Sequence, residues 1–146
     1  AKPGDCLMID EPELNLHPDN QRIIARLLVR LVNHDIRVVI STHSDYIIRE
    51  LNNTIMLSTE FPEREQLERR FGYDEQGLER LDHKDVAAYH FTEKNVDAID
   101  VSPEFGIEVK SMDSAINNLN ESNSEIYFKL NEALHPLTEH KQVNIS

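Results

Sequence analysis

The chain has 146 residues and a formal net charge of −12, with 39% hydrophobic, 6% aromatic and 29% charged residues and no tryptophan. That length carries one domain with a core but not two large ones, and the composition excludes a disordered or membrane-embedded protein, so a cytoplasmic setting is expected. The single cysteine, Cys6, excludes an intrachain disulfide and a thiolate zinc cluster, and the acidic balance argues against a general duplex-binding surface, which needs lysines and arginines to neutralise phosphates.

Residues 5–10 are nearly continuously apolar, which predicts a strand of a parallel sheet covered on both faces and places Cys6 inside. Pro12 to Pro18 predicts a turn, and Pro18 suits the first turn of a helix, where its missing N–H would be unpaired anyway. In that helix Ile23, Ile24, Leu27, Leu28 and Leu31 form the expected core face, while Arg22, Arg26 and Arg30 line another side as a solvated stripe or a surface for nucleic acid or a partner.

Asn33-His34-Asp35 ends the helix and Arg37 to Ser41 is β-branched, so residues 5–43 have the order of one βαβ unit with a right-handed crossover. Ser44 is placed to cap a short helix over 45–51 with Asp45 at its positive end; Ile55-Met56-Leu57 then reads as a third parallel strand. Residues 60–81 shift to Glu, Arg and Gln and predict a charged, solvated helical insertion broken near Gly72 and Gly77. Short antiparallel strands follow at 86–91, 98–101 and 107–109, with turns at 93–95 and 103–106, and apolar spacing over 114–134 predicts a closing helix or helix pair. The expected organisation is an α/β core over 1–58, the insertion over 59–84, and a smaller α+β region with a C-terminal helix over 85–146.

Asp10 and Glu11 sit at the carboxyl end of a predicted parallel strand, where ligands of open α/β sheets collect. Adjacent side chains on an extended chain diverge, so Asp10 can reach magnesium while Glu11 orients and deprotonates a water. The alternative is a polar turn that ends a strand. His43 follows the second strand and precedes a helix start, which brings its imidazole to the same sheet edge. The other histidines read as structural.

Taken together, Leu7-Met8-Ile9-Asp10-Glu11-Pro12 resembles the Walker B motif of ABC-type ATPase heads, Asn15-Leu16-His17-Pro18 occupies the place of the D-loop, and Ser41-Thr42-His43-Ser44 resembles the histidine switch. The form is similar to bacterial ATPases of the SMC, RecF and OLD-like branch, strongly over residues 5–57 and more loosely beyond. The resemblance implies Asp10 as the magnesium aspartate, Glu11 as general base and His43 as the γ-phosphate sensor. It implies ATP and Mg2+ as cofactors, and a homodimer of heads with Asn15, Leu16 and His17 at its interface. It also implies DNA metabolism or phage defence, with a DNA or nuclease partner.

No glycine-rich phosphate loop occurs in the 146 residues, and the resemblance puts that loop and the signature motif upstream of residue 5. The chain accordingly reads as the C-terminal part of a longer ATPase, inactive alone. Two other classes stay open: Asp10, Glu11 and His43 as ligands of a metal-dependent nuclease or phosphoesterase, and a non-catalytic partner-binding module. A Toprim nuclease needs an Asp-x-Asp, and none occurs.

Overall fold

A computed structural model describes residues 1–74, 76–108, 122 and 124–126. The chain divides into two compact units, 1–109 and 110–146. The first is α/β. Strand β1 (Cys6–Asp10) leads into helix α1 (Pro18–Val32), strand β2 (Arg37–Ser41) and helix α2 (Asp45–Met56). Helix α3 (Arg64–Phe71), a single 3-10 turn (His83–Asp85) and strands β3 (Ala88–Phe91), β4 (Val96–Ile99), β5 (Val101–Ser102) and β6 (Gly106–Ile107) complete it. In the second unit Ser122 and residues 124–126 are helical; the rest of the expected closing helix lies outside the described residues.

β1 and β2 pair in parallel, from Cys6 opposite Arg37 to Asp10 opposite Ser41, so both strands end level. β3 pairs antiparallel with β4, and β5 with β6, which matches the α/β class with a partial parallel sheet and a smaller antiparallel region. Among the described residues no helix is long and apolar enough to cross a membrane.

Several expectations change. The third parallel strand is absent: residues 55–57 complete and cap α2. Ile47, Leu51 and Ile55 recur at helical spacing, and Ile47 and Ile55 are fully buried. The asparagines expected to turn the chain act from inside the helix. The Asn52 amide accepts from the Ile107 N–H at 2.8 Å and donates to its carbonyl at 3.2 Å, and Asn53 donates to the Tyr73 hydroxyl at 3.1 Å.

Next, the parallel strands are not covered on both faces. Leu7, Ile9, Val38 and Ile40 are half-buried, but Cys6, Met8, Arg37 and Val39 are exposed, Met8 to 75%. Third, the core stripe of α1 is rotated. Ala25, Leu28 and Val29 are buried and Ile23 and Leu27 are exposed, because α1 packs chiefly on α2. Burial of side chains the size of Leu28 and Val29 is worth about 1.5–3 kcal/mol each. The core therefore lies between the helices and the later strands, with Val29, Ile55, Leu81 and Ile107 at its centre and Ile48, Leu51, Ile99 and Val101 around it.

The arginine stripe is more than a solvated face, although the side chains of Arg22 and Arg30 stay about half exposed. Arg22 and Arg26 donate through Nε to the two oxygens of Glu50 on α2, at 2.8 and 2.6 Å, and Glu50 is 1% exposed. Arg26 stacks on the Tyr73 ring at 3.8 Å and donates to the Gly72 carbonyl at 2.7 Å; Arg30 donates to Glu79 at 2.7 and 2.9 Å. α3 forms as expected and stops at Gly72, whose left-handed φ of 70° any β-carbon would strain. It is not simply solvated, however: Glu68 is fully buried and takes a two-pronged bond from Arg80 at 2.7 and 2.8 Å.

Candidate functional site

The level ends of β1 and β2 set two loops side by side. After Asp10 the chain leaves the strand at once, since Glu11 takes a left-handed φ of 44° and Leu14 donates back to the Glu11 carbonyl at 3.0 Å. A non-glycine residue in that region costs on the order of 1 kcal/mol, so this turn is held by its surroundings. The holding contact is visible: the Glu11 N–H donates to the Ser41 carbonyl at 3.0 Å, which prolongs the parallel ladder by one rung.

The turn separates the two carboxylates as the diverging side chains of a strand end require. Asp10 is exposed and accepts a hydrogen bond from the Ser41 hydroxyl. The Glu11 carboxylate lies 4.0 Å from His43 Nε2. The His43 side chain is 90% exposed, so its imidazole is available to a ligand. The structure thus brings Asp10, Glu11 and His43 to one sheet edge.

Asn15, Leu16 and His17 lie at the far side of the first loop. Asn15 makes a second left-handed turn at φ 61°. His17 caps α1, its Nδ1 accepting from the Asp19 N–H at 3.4 Å, and the Leu16 carbonyl accepts from the Gln21 side chain at 2.9 Å. Gln21 also accepts from the Ser44 hydroxyl at 2.5 Å, while Ser44 caps α2 by accepting from the Ile47 N–H at 3.2 Å. One side chain of α1 therefore ties both loops together.

Glu13, which has no signal of its own in the sequence, sits between them. Glu13 accepts through one oxygen from the Thr42 hydroxyl at 2.7 Å and from the His43 backbone N–H at 2.9 Å. Its place two residues beyond the carboxylate pair was visible, but nothing local told that the turn would carry it across to β2. Only the strand register does that.

Among the described residues no group of three or more His, Cys, Asp or Glu side chains is arranged to enclose a metal. The donors at the strand end are hard oxygens, the Asp10 carboxylate with the Ser41 hydroxyl beside it. That set suits magnesium, which is commonly held by one or two carboxylates together with substrate phosphates and water, rather than zinc.

Residues 1–48 match the family model of the AAA ATPase domain. The matched stretch contains both strands, α1 and both loops. No curated protein and no solved structure matches the chain. The family match supports an ATPase-related segment.

Proposed function

We propose that this chain carries the hydrolytic half of an ABC-type ATPase site: Asp10 to hold magnesium, Glu11 as general base and His43 as sensor of the γ-phosphate. The observation that carries the reading is the convergence of Glu11 and His43, 4.0 Å apart, at the ends of parallel strands within the stretch that matches an ATPase domain.

In the reaction, Glu11 takes a proton from a water as that water's oxygen bonds to the γ-phosphorus. The bond from phosphorus to the bridging oxygen breaks, and ADP and phosphate leave. His43 donates a hydrogen bond to a γ-phosphate oxygen and so holds the group in line. Asp10 is the residue that would hold magnesium, which when bound offsets phosphate charge. The rest of the phosphate cradle, backbone donors and a lysine, comes from outside these residues; without it the carboxylates face ATP as net negative charge.

The chain alone is therefore expected neither to bind ATP tightly nor to turn it over, whereas the protein that contains it should hydrolyse ATP in a magnesium-dependent way. Two such heads closing face to face would place Asn15, Leu16 and His17 at their junction, and DNA metabolism or phage defence is the setting that the sequence resemblance favours. The test is ATP turnover by the intact protein. Glu11→Gln should lower it about 10²–10⁴-fold, the usual worth of a general base, and His43→Ala should also lower it. Turnover that survives Glu11→Gln would overturn the assignment.

A further inference from the structure

The convergence of Glu11 and His43 depends on something that keeps two separate loops in register, and the residues that could do so can be compared. The ladder rung from Glu11 to the Ser41 carbonyl fixes the first residue of the first loop, but stops short of Thr42 and His43. Gln21 fixes Leu16 and Ser44, at the outer ends of both loops. Between those points, among the described residues, His43 has one backbone restraint from the other loop: its N–H donates to Glu13.

We infer that Glu13 is the positioning residue of this site, clamping the backbone of His43 so that the imidazole is presented to the phosphate beside Glu11; the inference rests on the functional reading above. The Thr42 hydroxyl donates to the same Glu13 oxygen and accepts from the Ser44 N–H at 3.0 Å, so the clamp runs from the carboxylate through the loop to the start of α2. The other oxygen, Oε2, is buried with no hydrogen-bond partner among the described residues. Burying a bare carboxylate oxygen is costly, and a neutral acceptor would serve both donors with one oxygen. What a carboxylate adds is charge, which makes both bonds shorter and about twice as strong as neutral ones. The clamp holds the main chain only, and the imidazole keeps its 90% exposure and its freedom to meet a ligand.

Two readouts test this. In the isotopically labelled chain, amide hydrogen exchange should show the His43 N–H exchanging at least about tenfold faster in Glu13→Ala than in wild type. Glu13→Gln should lie between, since it keeps the acceptor, and the Ile40 amide of the strand should not move. If Glu13→Ala does not fold, Thr42→Val carries the test and should speed the Ser44 and His43 amides. In the intact protein Glu13→Ala should lower kcat about tenfold or more at unchanged KM for ATP, with Glu13→Gln restoring most of it.

A His43 amide that exchanges equally in folded wild type and Glu13→Ala overturns the inference. So does a kcat that falls only in proportion to the folded fraction. Absence of ATP turnover in the wild-type intact protein would instead overturn the functional reading, whereas the exchange result stands or falls by itself.

Discussion

Two regions of this molecule hold acidic and basic side chains together, and they use them in opposite ways. Along the seam between α1, α2 and the segment from α3 to Arg80, the carboxylates of Glu50, Glu68 and Glu79 are buried and each is matched to arginine. At the ends of β1 and β2, Asp10 and His43 are exposed, and among the described residues Glu11 has no lysine or arginine paired with it, only the His43 imidazole at 4.0 Å. Charges that satisfy one another are committed to holding helices in place. Charges left open to solvent at a strand edge are free for chemistry.

The largest effects should separate the two regions cleanly. Glu11→Gln should remove about 10²–10⁴ of turnover in the intact protein yet leave the melting temperature of the chain almost unchanged, because a partly exposed side chain with one distant neighbour contributes within about 0.5 kcal/mol. Glu50→Ala should do the reverse. It leaves the largely covered Arg26 and the half-exposed Arg22 without their carboxylate and should cost about 3 kcal/mol in denaturant unfolding, the low end of the range for breaking a buried pair from one side, since Arg22 can still turn to water. A Glu50→Ala chain as stable as wild type would show that the seam is decoration.

The strand-end region was legible in the sequence because its information is local. An apolar run ending in Asp10-Glu11 and a β-branched run ending in His43 predict strands, and strands joined through a helix end at the same edge. The seam was not legible. Arg22, Arg26 and Arg30 recur every four residues, the pattern of a solvated stripe, and their partners Glu50 and Glu79 are distant in the chain. Nothing in a helix's own sequence says which other helix will cover it. The lost third strand has a related cause. Ile55-Met56-Leu57 after Asn52-Asn53 looks like turn and strand by composition, but Ile47, Leu51 and Ile55 share one helical face, and that face found a core. Glu13 needed the register of β1 against β2.

Acid provides a smaller, graded probe of the seam. Burial works to raise the pKa of Glu50, yet hydrogen bonds from Arg22 and Arg26, with Tyr73, outweigh it and hold the carboxyl below its ordinary value. A carboxylate depressed in the folded state stabilises fully above its unfolded pKa, near 4.3, and loses that contribution as pH falls through the lower folded value. Stability should thus be level with respect to Glu50 down to about pH 5 and decline below about pH 4.5. Thermal melts across pH 3–7 should show that decline, and Glu50→Gln should flatten part of it. An unchanged decline would move the acid sensitivity to other carboxylates.

The smallest effect concerns how the seam divides its work. Arg22 and Arg26 reach the same carboxylate, but the Arg22 side chain is 42% exposed and Arg26 only 16%. Arg26 also stacks face-on against the Tyr73 ring and donates to the carbonyls of Phe71 and Gly72, which stitch the end of α3 to α1. Replacing either by lysine keeps the charge and removes the planar fork. Arg22→Lys should therefore cost less than about 1 kcal/mol, as expected of a pair screened by solvent. Arg26→Lys should cost about 1–2 kcal/mol, since it also forfeits the ring contact and bonds to backbone. Denaturant midpoints at low and high salt would separate them: added salt should shrink the penalty for Arg22→Lys and leave most of that for Arg26→Lys, because stacking and buried hydrogen bonds are screened little. Equal penalties with equal salt dependence would mean that the seam is held by charge alone, and the contrast with the strand-end loops would then be one of burial rather than of geometry.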